Sequence, residues 1–396
     1  MSELESLPKG WLSYQLEELS DVIMGQAPTG ESYNESGKGT LFVKVGEFGN
    51  LFPNKVVWTT KPLKFAKPND VLICVVGATI GKLNLGIDCA IGRSVSAIRS
   101  NKLILFQKFL YYFLKPKIMK IRNEQQGSAQ GVISKKYLEK MIILLPPLNE
   151  QKRIVSKIEE LFSELDNVKG TLQNVKLQLV QYRQSLLKSL FENKDWDYVR
   201  FGDFLTLEYG KGLSKKDRKE GNIPVFGSAG IGGYHNKALV ENSSLVIGRK
   251  GNAGNVLLVE QAFWAIDTTY FLKETKDYNL KFLYHLFKFL NFGKLDSSTT
   301  IPSLRRDDVY AQSIPLPEME KQNDIVSQIE QGFSLIENTE NIANTMLKQL
   351  ETLRSSILKQ AFEGKLVPQD PNDEPVEKLL QRIKKQQTKT KSRGKK

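Results

Sequence analysis

The chain has 396 residues, of which 26% are charged, and a formal net charge of +13. This length is sufficient for two or three domains with cores of their own. Residues 1–20 contain no apolar stretch followed by a cleavage site, and apolar runs such as 141–145 are far too short to cross a membrane. We therefore expect a cytoplasmic protein with no signal peptide and no membrane segment.

The positive charge is unevenly distributed, because residues 378–396 carry nine basic and no acidic side chains. The net charge is therefore weak evidence for nucleic-acid binding, which depends on local clusters of basic residues. Cys74 and Cys89 lie in apolar, strand-like stretches, where buried reduced thiols are expected. Because the chain has only two histidines, no cluster with zinc-ligand spacing can be assembled, and we predict no metal site.

In chain order, the first 100 residues alternate β-branched or aromatic runs with Gly and Asn, which predicts strands and turns. The predicted strands include 41–45, 71–76 and 94–98, and a short helix is predicted over 106–114. The second half repeats this order, with strand-like runs at 244–247, 255–259 and 262–266 and a helix over 280–290. We interpret the aromatic stripes of both short helices as core packing.

A long heptad-patterned helix is predicted twice. Residues 146–194 align without a gap onto residues 317–365, and 19 of the 49 positions are identical. A duplication of this length determines the architecture. We predict a first globule over 1–145, a helix over 146–194, a second globule over 195–316, a second helix over 317–367, and a linker with a basic, disordered tail over 368–396.

Apolar residues recur along both helices at alternating steps of three and four, the pattern of a coiled-coil seam. The predicted seam comprises Ile158, Leu165, Leu172, Leu179 and Leu186 in the first helix and Ile329, Ile336, Leu350 and Ile357 in the second, with Val168, Tyr182, Met346 and Leu353 at further seam positions. Small or polar residues weaken it at Gly332, Thr339 and Ala343. Because an isolated apolar stripe would face solvent, we expect the helices to form an antiparallel pair with an approximate internal twofold.

No complete catalytic site is apparent. Residues 25–32, GQAPTGES, have the glycine spacing of a phosphate-binding loop, but Glu31 occupies the lysine position and its carboxylate would repel phosphates. Residues 77–83, GATIGKL, are one residue short and lack the Ser or Thr that binds magnesium. We interpret both segments as hairpin turns and predict that the chain is not an enzyme.

Basic clusters on predicted loops recur in both globules. Lys and Arg can neutralise phosphates, and Arg, Gln, Asn and Ser can contact base edges. Most single clusters are expected to be ordinary solvated surface, but as a set they favour DNA. The candidate DNA-binding residues are Lys38, Lys44, Lys82, Arg93, Arg122 and Gln126 in the first globule and Lys211, Lys215, Lys216, Arg218, Arg249, Lys250, Arg305 and Arg306 in the second.

Three segments carry a resemblance to a known family. They are LPKGW at 7–11, PPLNEQKRIV at 146–155, and LKQAFEGKLVPQDPNDEP at 358–375. With them the chain resembles, along its whole length, the specificity subunit of type I restriction–modification systems. The segment PLPEMEKQ at 315–322 keeps only the prolines and the glutamine of the helix-opening motif, which leaves the start of the second helix in question.

The resemblance implies an α+β fold with two globular α/β target-recognition domains, each of which recognises one half of a split, asymmetric site in double-stranded DNA. It also implies that the paired helices act as a spacer and bind two copies of a DNA-adenine methyltransferase subunit, and that an ATP-dependent translocase and nuclease subunit joins for restriction. S-adenosylmethionine, ATP and magnesium would belong to those partners, and no cofactor to this chain. Candidate partner contacts on the helices are Lys157, Arg183, Lys188, Arg354 and Lys359.

Three alternatives remain open from the residues alone. One is a coiled-coil scaffold whose globules bind proteins, for which binding would be insensitive to salt, whereas DNA affinity falls steeply with salt. A second is an independent modification or nuclease enzyme, against which the absence of cofactor and metal motifs argues. The third is a silent member of the same family.

Overall fold

A computed structural model describes residues 8–118, 122, 131–192, 196–273, 278–296, 300–315 and 317–383. The chain divides into two compact units, unit 1 from residues 1–170 and 346–396 and unit 2 from residues 171–345. Each unit therefore contains one globule, the beginning of the long helix that follows it, and the end of the other long helix.

The helices of the described segments include α1 (Leu16–Leu19), α2 (Gln107–Leu114), α3 (Lys135–Glu139), α4 (Leu148–Phe191), α5 (Phe201–Phe204), α6 (Leu280–Leu290), α7 (Arg306–Tyr310) and α8 (Met319–Phe362). The long helices α4 and α8 each have 44 residues, and their ends fall at matching positions of the repeat. The looser opening motif of the second repeat therefore still starts a regular helix.

The described residues of the unit 1 globule form three sheets. Its strands are β1 (Leu12–Gln15), β2 (Ser20–Met24), β3 (Tyr33–Asn34), β4 (Thr40–Val43), β5 (Trp58–Thr59), β6 (Phe65–Ala66), β7 (Val71–Cys74), β8 (Leu83–Leu85), β9 (Cys89–Ile91), β10 (Val95–Ser100) and β11 (Ile142–Leu145). The orders are β1-β11, β2-β10-β7-β8 and β3-β5-β4-β9-β6. All pairings are antiparallel except β4 with β9.

The globule of unit 2 repeats this plan with different loops. Its strands are β12 (Tyr198–Arg200), β13 (Leu207–Tyr209), β14 (Ile223–Gly227), β15 (Gly230–His235), β16 (Ser244–Gly248), β17 (Val256–Val259), β18 (Trp264–Ala265), β19 (Thr269–Leu272) and β20 (Ser313–Pro315). The orders are β12-β20, β13-β19-β16-β17 and β15-β14-β18. The four-stranded sheet thus matches β2-β10-β7-β8 strand for strand, and the parallel pair β14 and β18 matches β4 and β9.

The short helices α2 and α6 pack into the main cores of their units, as predicted from their aromatic stripes. Residues 109–114 of α2 are all buried, and Phe282, Leu283, Leu286 and Phe287 of α6 are buried. Strand β7 is fully buried, which explains its unbroken apolar run. Cys74 and Cys89 are free, buried thiols, as expected.

One buried glutamine joins each globule to the start of its long helix. The Gln151 side chain is 0% exposed; its Oε1 accepts from Phe106 N at 2.8 Å, and its Nε2 donates to Ile104 O and Pro146 O at 2.9 Å each. Gln322, also 0% exposed, accepts from Asn279 N at 2.8 Å and donates to Pro317 O at 2.9 Å. Because the same amide geometry appears twice, this junction is a repeated structural element.

Each globule also contacts the end of the other long helix. In unit 1, Phe362 near the end of α8 packs edge-on against Phe109 and Phe113, with centroids 5.5 and 5.2 Å apart. In unit 2, Phe191 at the end of α4 packs on Phe282 and Phe289 at 5.6 and 5.5 Å. The repeated phenylalanines at 191 and 362 therefore attach each helix end to the aromatic helix of a globule.

Within each unit the two long helices run antiparallel. In unit 1, Arg354 bonds to Asp166 and lies 4.6 Å from the centroid of the Phe162 ring. At equivalent positions in unit 2, Arg183 lies 4.7 Å from the Phe333 ring. Each arginine covers the ring of a repeated phenylalanine, so both take part in helix pairing.

The helix pairing buries the seam unevenly. Ile158, Ile329, Ile336 and Leu350 are buried, and Leu165, Leu172, Leu179, Leu186 and Ile357 are half-buried. Gly332, which weakened the predicted seam, accommodates Leu186, since a Cβ at Gly332 would lie 2.4 Å from Leu186 Cδ2. The seam prediction was wrong for Val168, Tyr182, Met346 and Leu353, which are exposed because a two-helix pair covers only one narrow face of each helix.

The segment after α8 is packed on unit 1, although we had predicted residues 368–396 to be a linker and tail. Arg153 forms two hydrogen bonds, of 2.7 and 3.3 Å, with the buried carboxylate of Asp373. Residues 376–383 are helical, and Val376, Leu379 and Ile383 are buried in the main core of unit 1. The rest of the predicted tail, 384–396, lies outside the described residues.

We expect Gln151→Ala to lower the free energy of unfolding of unit 1 by about 2–4 kcal/mol, because buried backbone groups lose their partners. Chemical denaturation followed by hydrogen exchange in α2 would measure this. Gln349→Ala, which removes an exposed glutamine from α8 in the same unit, is the control and should change little. Equal effects of the two substitutions would contradict the structural role of Gln151.

The stability of unit 2 should depend on pH through His285. Burial lowers the pKa of His285 from 6.5 to about 4, so folding favours the neutral imidazole. The stability this provides is present above pH 6.5 and is lost as the pH falls toward 4, by about 2 kcal/mol at pH 4.5. His285→Tyr introduces the residue found at the equivalent position, Tyr112. We expect it to remove most of this loss in denaturation curves at pH 4.5 and 7; an unchanged pH dependence would refute the assignment.

Candidate nucleic-acid interface

Three strand ends in the four-stranded sheet of unit 2 lie side by side. Strand β13 ends at Tyr209, which pairs with Tyr270 near the start of β19, and β16 ends at Gly248, which pairs with Thr269. The loops that follow β13 and β16 therefore leave the sheet at the same end. We call this end, with its adjoining loops, the cationic end of unit 2.

Five predicted candidates converge there. Lys211 N donates to Ala265 O at 2.9 Å, which places it directly beyond β13. Arg249 and Lys250 follow β16, and Lys250 forms a β-bridge with Ser303, which brings the segment carrying Arg305 and Arg306 alongside. The five cations are Lys211, Arg249, Lys250, Arg305 and Arg306, and all are exposed or half-buried. Residues far apart in sequence thus form one basic surface.

The cationic end also contains a residue that the sequence analysis missed. Tyr209 is 47% exposed, and the guanidinium groups of Arg249 and Arg306 lie 5.4 and 5.1 Å from the centroid of its ring. The sequence feature that could have identified Tyr209 is an aromatic residue at the last position of a strand, directly before Gly210. Contacts of this kind stabilise exposed arginine side chains by about 0.5–1 kcal/mol.

The other candidates of unit 2 lie on the loop after Lys211. Lys215 and Lys216 are exposed on a short 3₁₀ turn. Arg218 Nη1 donates to Gly232 O at 2.7 Å, and Lys219 N donates to His235 Nδ1 at 3.0 Å. These bonds attach the loop to the β14–β15 hairpin and keep its lysines directed at solvent.

The candidates of unit 1 are less concentrated. Arg93 is exposed two residues before β10 begins, at the sheet end equivalent to the cationic end of unit 2. Lys44 lies 5.7 Å from the Tyr33 ring centroid and 3.8 Å from the Glu47 carboxylate, so part of its charge is balanced locally. Lys38 is exposed in a turn bonded to Asn34. Gln126 lies outside the described residues.

Lys82 and Arg122 share a groove of about 550 Å³ in unit 1, with Asn50, Asn54 and Lys115 among its other lining residues. Lys82 Nζ donates to Phe48 O at 3.1 Å, and Arg122 Nε donates to Ile80 O at 2.8 Å. Lys115 lies 4.9 Å from the Tyr111 ring centroid, and its pKa is lowered by burial and by nearby Arg354. The groove is therefore basic and polar.

The helix cations predicted as partner contacts are mostly engaged. Arg183 and Arg354 cover phenylalanine rings in the helix pairs, and Lys157 bonds to Glu160 at 2.7 Å. Lys188 and Lys359, at equivalent positions, form looser pairs with glutamates at 3.7 and 3.9 Å. The planar groups of the two arginines thus stack on rings of the neighbouring helix, and the role of both residues as partner contacts stays a prediction.

Two further findings concern the described segments only. They contain no group of three or more His, Cys, Asp or Glu side chains that could hold a metal ion. None of their helices combines the length and the apolar composition needed to cross a membrane.

Comparison with known proteins places this arrangement in a family. Residues 8–177 and 193–348 each match the model of the type I restriction modification DNA specificity domain. The EcoKI specificity subunit of Escherichia coli is 24% identical over 427 residues, which cover 92% of this chain and 90% of that protein. The MjaX specificity subunit of Methanocaldococcus jannaschii is 36% identical over 200 residues, 49% of this chain and 45% of that protein.

Solved structures show the same fold. The HsdS subunit from Thermoanaerobacter tengcongensis superposes with a TM-score of 0.68 at 19% identity, covering 92% of this chain and all of that one. A chain from a type I restriction–modification assembly superposes with a TM-score of 0.74 at 19% identity, covering 91% of this chain. Two matched domains, the repeated helices and these folds together show that the chain belongs to the DNA specificity subunits of type I restriction–modification systems.

Proposed function

We propose that this subunit recognises a split, asymmetric site in double-stranded DNA, one half with each globule. One observation carries the proposal: the two globules share strand order and helix attachments, whereas the side chains at their equivalent sheet ends differ. A common framework with different contact residues is what two unlike half-sites require. Phosphate contacts from the lysines would supply affinity, and arginine contacts to base edges would supply sequence preference.

The long helices provide the spacer in this proposal. Both α4 and α8 run from one unit into the other without interruption. Helix α4 connects the two globules covalently, and α8 leads from the second globule to the C-terminal segment that packs on unit 1. Binding of one half-site then raises the effective concentration of the second globule at the other half-site. The separation of the half-sites would be fixed by the helices and not by the globules.

The helices also offer a repeated surface for a partner. Tyr182 in unit 2 and Leu353 in unit 1 occupy equivalent positions, and each is 48% exposed. An apolar residue that is exposed at the same position of both repeats is suited to bind two copies of one partner. We therefore propose that Tyr182 and Leu353 contact two DNA-adenine methyltransferase subunits. Lys188 and Lys359 would be further contacts at the edge of this surface. The translocase and nuclease subunit would join this complex at cellular DNA in the cytoplasm. S-adenosylmethionine, ATP and magnesium would be bound by the partners.

Replacing residues 195–316 with the second globule of another specificity subunit should change only one half of the methylated motif. The measurement is a modified-base map of the genome with the native gene, with the hybrid gene, and with neither. The native gene should direct methyl-adenine to one split motif, and the hybrid should keep one half of it. A motif changed in both halves, or no motif at all with the native gene, would contradict recognition by separate globules.

Tyr182→Glu and Leu353→Glu should each reduce bound methyltransferase from two copies to one, because a charge on an apolar contact must be desolvated on binding. Native mass spectrometry of the assembled complex counts the copies directly. Thr352→Glu, at an exposed polar position beside Leu353, is the control and should keep two copies. Two copies bound by both the Tyr182 and the Leu353 variants would exclude this surface.

A further inference from the structure

Tyr209, Arg249 and Arg306 form a stack at the cationic end of unit 2, in which both guanidinium groups contact one tyrosine ring. We call it the Arg–Tyr–Arg stack. Arg306 also lies 5.5 Å from the centroid of the Tyr310 ring, so its guanidinium group contacts two aromatic side chains. The arrangement brings together side chains from the end of β13, the residue after β16 and the start of α7.

The stack is supported by buried hydrogen bonds. The Tyr270 hydroxyl donates to Leu304 O at 3.0 Å, and the Tyr209 ring packs edge-on against Tyr270 at 5.1 Å. The backbone of Arg249 is fixed on both sides, since its N donates to Thr268 O at 2.9 Å and its O accepts from Leu304 N at 2.8 Å. Its Nε donates to Asp267 O at 3.1 Å. Only the two terminal nitrogens of Arg249 are left to face a ligand.

The stack lacks a counter-charge within the described part of the chain. Neither arginine forms an ion pair there, and the buried Nε of Arg306 has no hydrogen-bond partner. Buried polar groups are nearly always hydrogen-bonded in folded proteins. The unpaired Nε of Arg306, next to the guanidinium of Arg249, therefore indicates that a bound ligand supplies the missing acceptor. Duplex DNA supplies both negative charge and base-edge acceptors.

Unit 1 carries different residues at the same three backbone positions. Val75 O accepts from Ile133 N at 2.8 Å, as Arg249 O accepts from Leu304 N. Val75 is therefore the counterpart of Arg249, and by the same register Met24 ends β2 where Tyr209 ends β13. Lys135 begins α3 where Arg306 begins α7, and it pairs with Glu139 at 3.3 Å. The stack thus occurs in one globule only, at a position the fold makes available in both.

We propose that Arg249 contacts a guanine in the half-site bound by unit 2, with Tyr209 and Arg306 as positioning residues. This inference rests on the proposed DNA recognition and deepens it. The two terminal nitrogens of a guanidinium match the N7 and O6 acceptors that guanine presents in the major groove, the commonest specific arginine contact to DNA. Buried Val75 offers no side-chain donor, so the half-site bound by unit 1 is not recognised by an arginine at this position.

The test uses the complete complex with the methyltransferase subunit and a duplex library in which each position of the recognised motif is varied. Arg249→Lys keeps the charge but loses the two-pronged donor. It should reduce the preference for one G·C pair in one half of the motif by about 5- to 150-fold and leave the other half unchanged. Arg200→Lys, the same substitution at an exposed arginine of β12 in unit 2 that is not among the candidate DNA-binding residues, should leave the motif as it is.

A second variant separates recognition from folding. Tyr209→Leu keeps Arg249 but removes the ring that orients it, and it should weaken preference at the same base pair to a smaller extent. An unchanged motif with Arg249→Lys, or an equal loss of methylation at all sequences, would overturn the inference about Arg249. The proposed function would still be supported if the native subunit directs methylation to a split motif. If the native subunit directs methylation to no split motif, both proposals fail.

Discussion

The two junctions between globule and helix depend on one kind of hydrogen-bonded group, a buried glutamine amide. Gln151 and Gln322 each bond a backbone N–H of the globule and a proline carbonyl at the start of the helix. An amide that donates and accepts at once fixes both the position and the rotation of the helix relative to its globule. Since leaving such groups unpaired in the interior is costly, the junction tolerates little variation. The rest of each globule is then free to diverge.

That division between a fixed attachment and a variable surface extends through both units. The phenylalanines at 191 and 362 and the arginines at 183 and 354 are shared, and they pack in the same way in unit 2 and unit 1. The loops at the equivalent sheet ends share their backbone register and little else. Under the proposed function, a subunit built this way could change what it recognises without changing what it assembles with, because loop residues would contact DNA and helix residues would contact the partner.

The sequence predicted the elements whose signal is local. Heptad spacing located both long helices, and aromatic stripes identified α2 and α6 as core helices. The Arg–Tyr–Arg stack could not be predicted, because residues 209, 249 and 306 meet only through strand pairing across the sheet. The burial of Val376 and Leu379 was not predicted for a similar reason. Their short amphipathic segment follows a Pro- and Asp-rich stretch, and the contact that attaches it joins Asp373 to Arg153, 220 residues away. Local sequence patterns predict helices and strands, whereas contacts between residues far apart in the sequence depend on how the strands pair.

The contact between Arg153 and Asp373 also distinguishes the two halves of a duplicated chain. The position equivalent to Arg153 at the start of the second long helix is Asp324, whose carboxylate would repel Asp373. The ion pair that attaches the C-terminal segment to unit 1 therefore has no counterpart at the equivalent position of unit 2. A duplicated chain is thus made asymmetric by the sign of one charge.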